Sequence, residues 1–261
     1  MTAKLAFLGT GTCVSTQSNS ASLAISDGKE MVLVDCGGGC YHQISRVGDA
    51  FFSHEKISTV LLTHFHPDHA SGLIDLLWGE MWDPVTPRTA SLTLVGPPGL
   101  ARFTSECVLP FIGEHRVPFD ICFIELGDTE SFNGKFLTAR AHRLAHTPTS
   151  TGYCLQIGRT RLGVTGDTGF CDNLLVLLSS SDVAIMEWSL AGHNTVACHL
   201  SDGDFMRLIQ TGVMPPKIFI THMYPQPGIT VDQLIAKKKD ILGAEAAGFF
   251  FPGDLDIVEL S

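Results

Sequence analysis

The chain has 261 residues, 44% apolar and 17% charged, which is enough for one large layered domain and too apolar for intrinsic disorder. Seventeen Lys and Arg against 27 Asp and Glu leave a net charge of −10, so nucleic-acid binding would need a local basic patch. No apolar run approaches the roughly 18 residues of a membrane span, and Leu5-Ala6-Phe7-Leu8 is too short for a secretory signal and reads as a first strand.

In chain order, short runs rich in Val, Ile, Leu and Phe predict strands at 4–8, 21–26, 31–35, 58–63, 92–95, 119–125, 136–141, 153–157, 161–165, 182–187 and 217–221. Helical spacing appears at 67–78, where Leu73, Leu76 and Leu77 line up, and at 98–109, 171–180, 203–211 and 230–243. Clustered strands with interleaved helices predict an α/β (α+β) layered fold, and the lack of any linker predicts a single domain over 1–261. Gly9-Thr10-Gly11-Thr12 lacks the third glycine of a dinucleotide fingerprint. Gly37-Gly38-Gly39 lacks the following Lys of a phosphate-binding loop. Both read as tight turns after strands. Eight scattered cysteines, mostly in apolar segments, read as reduced thiols and point to the cytoplasm.

Chemistry concentrates at His64-Phe65-His66-Pro67-Asp68-His69, just after the strand at 58–63. Where the chain is still extended, residues i and i+2 point the same way, so His64 and His66 can grip one metal ion. Pro67 suits the first turn of a helix, and Asp68 and His69 diverge toward a second ion. Imidazole and carboxylate suit zinc, with manganese or iron as competitors. Two ions need further ligands. His146, Asp167 and His222 qualify as polar residues at the ends of apolar strands, where α/β sheets collect functional groups.

Taken together, these residues resemble the metallo-β-lactamase superfamily, in particular its ribonuclease Z branch. Phe7-Leu8-Gly9-Thr10-Gly11, Asn19-Ser20-Ala21, the Asp35-Cys36-Gly37-Gly38-Gly39 block with Gln43, Gly96-Pro97-Pro98-Gly99-Leu100, Gly166-Asp167-Thr168 and Thr221-His222 follow the family order, with Gly38 where the family carries Glu. The resemblance implies a four-layer αβ/βα sandwich of two facing mixed sheets flanked by helices. It implies His64, His66 and His146 on one divalent ion, Asp68, His69 and His222 on the other, and Asp167 between them. Asp35 would support the ligand loop by hydrogen bonding. Glu187 and His199 fall where the branch keeps a carboxylate–imidazole pair near the leaving group, and a homodimer is implied as well.

The chemistry so implied is two-metal hydrolysis. The ions acidify a water that attacks phosphorus, His199 protonates the leaving group, and Asp68 and Glu187 count with His199 as catalytic residues. The resemblance departs at the tRNA-binding arm. Only one hairpin's length separates Gly152-Tyr153 from Gly166-Asp167, and Lys237-Lys238-Lys239 reads as a solvated helix face. Trp78 and Trp82 instead suggest the aromatic lip of compact members. A small or nucleotide-type phosphodiester is therefore favoured over a folded tRNA. A lactone, ester or thioester hydrolase, a ribonuclease Z-type endonuclease and a metal-bearing scaffold stay open as alternatives. His42, His54, His115, His142 and His193 are expected in solvated or core roles.

Overall fold

The computed structural model describes residues 2–113, 116–192 and 196–260. His115 and His193 lie outside the described residues. Two seven-stranded sheets face each other among the described residues. The first runs β14(Ile257–Leu260)-β1(Ala3–Gly9)-β2(Ser22–Ser26)-β3(Met31–Val34)-β4(Ile57–Leu61)-β5(Leu92–Gly96)-β6(Ile121–Glu125). The second runs β13(Phe249–Phe250)-β12(Lys217–Thr221)-β11(Val183–Glu187)-β10(Thr160–Val164)-β9(Thr151–Ile157)-β8(Leu137–Arg143)-β7(Ser131–Asn133). Both sheets are mixed: β3 to β6 and β10 to β13 are parallel, and the remaining neighbours are antiparallel.

Strand alternation separates the layers. In β1, Leu5 and Phe7 join the core between the sheets, whereas Ala6 and Leu8 face the outer helices. The Phe7 and Phe219 rings meet across the sheets at 5.3 Å. Helices α1(Cys40–Arg46), α3(Gly72–Trp82), α4(Leu100–Phe103) and α5(Leu109–Ile112) cover the first sheet; α6(Asp172–Ser179), α7(Asp202–Thr211) and α8(Val231–Leu242) cover the second. The result is the four-layer αβ/βα sandwich.

All eleven expected strands form, and the helical stretches form with two interruptions. The first splits at Ser71 into α2(Pro67–Ala70) and α3, which runs on to Trp82. The second is broken by a π turn at Thr104–Val108, where the Thr104 hydroxyl donates to the Leu100 carbonyl at 3.0 Å and enters the helical ladder. The lysine run departs from expectation. Lys237 and Lys239 are exposed, but Lys238 is only 2% exposed, because it lies on the α8 face that packs toward α7.

Candidate metal centre

Parallel strands bring chain segments to one edge. Asp35 follows β3, the His64 loop follows β4, Asp167 follows β10, Glu187 ends β11 and His222 follows β12. In β11, Ala184 and Met186 face the helices and Ile185 faces the other sheet, so the period of two turns Glu187 inward as well. Two contacts fix the facing edges. The Thr151 N–H donates to the Thr63 carbonyl at 2.9 Å, and the Tyr153 hydroxyl donates to the Leu62 carbonyl at 2.7 Å. Asp35 and His222 both hold left-handed backbone conformations (φ 58° and 53°), a cost of about 1 kcal/mol or more each that the surrounding bonds must offset.

The seven expected ligands converge into two groups. One holds His64, His66, His146 and Asp167, the other Asp68, His69 and His222, and within each group one donor atom per residue lies within 4.8 Å of the others. Asp167 reaches both: its Oδ2 is 3.8 Å from His64 Nε2 and 3.7 Å from His146 Nε2, and its Oδ1 is 3.3 Å from His69 Nε2. His66 caps α2 with extended backbone (φ −67°, ψ 151°) and turns its Nδ1 to within 2.9 Å of His146 Nε2.

Hydrogen bonds outside the cluster set the imidazole tautomers. His69 Nδ1 lies 2.7 Å from Asp35 Oδ2, and a carboxylate only accepts, so Nδ1 carries the proton and Nε2 is left for a metal. His146 Nδ1 likewise donates to the Cys198 carbonyl at 2.8 Å. Ser189 Oγ donates to the His222 carbonyl at 2.8 Å and so accepts from His222 Nδ1 at 3.1 Å. The Thr63 hydroxyl donates to Asp35 and accepts from His64 Nδ1 at 3.1 Å. Four rings thereby present Nε2 inward. Asp68 Oδ2 accepts from the Cys13 N–H at 3.0 Å.

The electrostatics treat the rings differently. Burial, then the neighbouring His69, pushes His64 down to about 2, so its ring stays a lone-pair donor. Burial opposes a proton on His69, yet Asp167 and Asp35 outweigh it and raise that ring well above its ordinary value. For Asp167 and Asp68 burial works against the charge, but the imidazoles around them hold both carboxyls low. His64 Nε2 and Asp167 Oδ1 are buried with no hydrogen-bond partner. Orphaned acceptors aimed into a nest of carboxylates and imidazoles fit divalent cations.

Beside this cluster, His199 Nδ1 lies 3.0 Å from Glu187 Oε1 and 3.1 Å from Oε2. Glu187 Oε1 also accepts from the Thr168 N–H at 2.6 Å. The half-buried His199 ring packs 4.6 Å from that of His146 and 5.7 Å from Tyr224. Burial lowers the pKa of His199, but the Glu187 carboxylate overrides it and the net shift is upward.

Of the other histidines, His42 is exposed, His54 stacks on Tyr41 at 4.0 Å, and His142 is a buried residue of β8. Trp78 and Trp82 sit 5.9 Å apart and are exposed at the end of α3. Ser189, Tyr224, the Cys13 N–H and the Cys198 carbonyl escape sequence reasoning. Backbone groups and lone hydroxyls carry no motif, and only the strand-end position of Ser189 hinted at a role.

Comparison with known proteins bears on the family and the fold. A family model described as the beta-lactamase superfamily domain matches residues 30–223. A ribonuclease Z of Methanosarcina mazei is 31% identical over 153 residues, covering 58% of this chain and 48% of the relative. One from Myxococcus xanthus is 30% identical over 171 residues, covering 64% and 53%. The chain thus spans about half the length of the curated relatives it matches. Among solved structures, the metallo-beta-lactamase fold protein YhfI from Bacillus subtilis superposes with a TM-score of 0.78 at 16% identity, covering 99% of both chains. Unliganded PDE1 from yeast gives 0.77 at 14% identity, again over 99% of both. Human tRNase Z, short form, gives 0.72 at 19% identity over 98% of both. These likenesses establish the fold.

Proposed function

This chain belongs to the metallo-β-lactamase superfamily, and from that premise we propose that it is a dinuclear metal-dependent hydrolase acting on a small or nucleotide-type phosphodiester. The observation that carries the reading is the His199–Glu187 pair, 3.0 Å apart beside the Asp/His cluster. A phosphodiester expels an alkoxide that needs a proton, and an imidazole backed by a carboxylate supplies one.

In this reading His64, His66 and His146 hold one ion, Asp68, His69 and His222 hold the other, and Asp167 serves both. Bound there, two divalent ions supply Lewis acidity and acidify an attacking water. Zinc is the expected metal, with manganese or iron as alternatives. The Cys13 N–H orients the Asp68 carboxylate, which would take up the proton released at the nucleophile. His199 then donates from Nε2, while Glu187 holds its Nδ1–H and keeps the ring charged until the leaving group departs.

The segment between Gly152 and Asp167 is a tight hairpin in which only Gly158 and Arg159 join β9 to β10. It offers no arm for a folded tRNA, which supports the small-substrate reading. We extend the reading to one catalytic domain over 1–261, a cytoplasmic location and a homodimer.

The decisive experiment is a hydrolysis panel on metal-loaded protein. It sets bis-p-nitrophenyl phosphate and 2′,3′-cyclic nucleotides against a lactone and a p-nitrophenyl ester. Turnover of the phosphodiesters, with that of the 2′,3′-cyclic nucleotides lost in His199→Ala, supports the proposal; turnover of the carboxyl substrates alone refutes it.

A further inference from the structure

Lys238 is a buried cation outside the metal cluster. Its Nζ donates to Asp202 Oδ1 at 2.9 Å and to the Leu190 carbonyl at 3.3 Å, and it lies 4.4 Å from the centre of the Trp188 ring. Asp202 accepts twice more, from Trp188 Nε1 at 2.9 Å and from the Gly192 N–H at 2.6 Å. One ammonium and one carboxylate therefore bind the two ends of the same loop.

What those ends carry gives the network its importance. Trp188, fully buried and stacked on Phe205 at 3.8 Å, lies between Glu187 and Ser189. Glu187 backs His199, and Ser189 sets the tautomer of His222. At the other end, Asp202 opens α7, three residues after His199 and four after Cys198, whose carbonyl orients His146. The Leu190 N–H donates to the Leu200 carbonyl at 3.0 Å and closes the neck between the two ends. A Cβ on Gly169 would lie only 1.9 Å from the Ala197 carbonyl, so the loop is pressed against the turn that presents Asp167.

We propose that Lys238, through Asp202 and Trp188, is the positioning residue that holds His199 in line for proton donation to the leaving group. The inference rests on the phosphodiesterase reading above. A carboxylate with three donors, one of them a buried cation, makes a stiff joint, and proton transfer is sensitive to small displacements of the donor. Lys238 belongs to neither ligand group, so its loss is felt in protonation of the leaving group rather than in metal content.

The test uses the metal-loaded full chain and two substrates, methyl p-nitrophenyl phosphate and methyl phenyl phosphate. The nitrophenolate departs with little help, whereas the phenolate depends on the acid. In Lys238→Met, kcat on the phenyl ester should fall about tenfold or more beyond any fall on the nitrophenyl ester, with KM within about twofold and two metal ions retained per chain. Asp202→Asn should reproduce the pattern, and it carries the test alone if Lys238→Met does not fold. Equal falls on both substrates, no fall, or loss of metal would overturn the proposal. His199→Ala separates the two levels. If it shows the leaving-group dependence and the Lys238 and Asp202 variants do not, the positioning role is wrong; if His199→Ala shows none, the assignment of the acid is wrong and the inference falls with it.

Discussion

Replacing Asp35 by Asn changes almost no volume and suits the left-handed backbone at φ 58°, so it isolates the role of the carboxylate. Asp35 Oδ1 accepts from the Thr63 N–H at 2.7 Å, Oδ2 accepts from His69 Nδ1 at 2.7 Å, and the Thr63 hydroxyl donates to both. An amide has one acceptor oxygen, so its NH₂ must face either the Thr63 N–H or His69 Nδ1–H. One charge-assisted bond is lost, worth about 1.5–3 kcal/mol, and one buried donor is left unsatisfied at about 1–3 kcal/mol more. The expected destabilisation of the metal-free protein is thus about 3–5 kcal/mol, read from urea unfolding in the presence of chelator. If the His69 ring instead moves its proton to Nε2, that nitrogen no longer ligates, and zinc affinity should drop about 10–100-fold by titration calorimetry. A variant within about 0.5 kcal/mol of wild type and within twofold in zinc affinity would refute the reasoning.

The Glu187 carboxylate raises the pKa of His199, so Glu187→Gln should move the alkaline limb of the kcat profile to lower pH, because the acid then loses its proton sooner. An unchanged limb would detach the pair from catalysis. Chelation leaves His64 Nε2 and Asp167 Oδ1 without partners, so metal-free protein should melt lower; zinc at about 100 times its Kd should restore about 2.7 kcal/mol, checked by calorimetric melting. Gly169→Ala drives a Cβ to 1.9 Å from the Ala197 carbonyl and should cost at least about 2 kcal/mol while displacing His199; activity falling with stability, with metal retained, is the outcome to look for. Tyr153→Phe deletes one buried bond between the sheets and should cost about 1–2 kcal/mol in urea melts, with kcat unchanged.

The layered fold was legible because buried strands announce themselves: each of the eleven expected runs is a short apolar stretch between glycines or polar turns. Elements without that signature escaped. Helix α1 follows three glycines and carries no apolar stripe of useful length. Strand β13 has two residues and β14 four, and both owe their existence to partners already in place. The candidate cluster was legible in the His64 loop because four possible ligands, three His and one Asp, crowd six positions. His146, Asp167 and His222 could be found only as strand-end polar residues, and grouping them needed the family resemblance. The hydrogen bonds that fix the tautomers join residues up to 52 positions apart, partly through backbone carbonyls, and no local pattern encodes those. Lys238 shows the opposite failure. A run of three lysines suggests solvent, yet helical periodicity turns the middle one onto the buried face.

Strand β14 lies beside β1, and just before it Asp254 accepts from the Thr10 N–H and hydroxyl at 2.9 Å each, the Asn19 N–H at 2.6 Å and the Asn19 amide at 3.1 Å. These bonds fasten both feet of the loop whose Cys13 N–H meets Asp68. A nascent chain would therefore carry nearly the whole ligand set past the ribosome before the residues that tie down its first loop have been synthesised. Such a sequence separation slows closure of that loop, so the pocket would be completed only once Asp254 is in place.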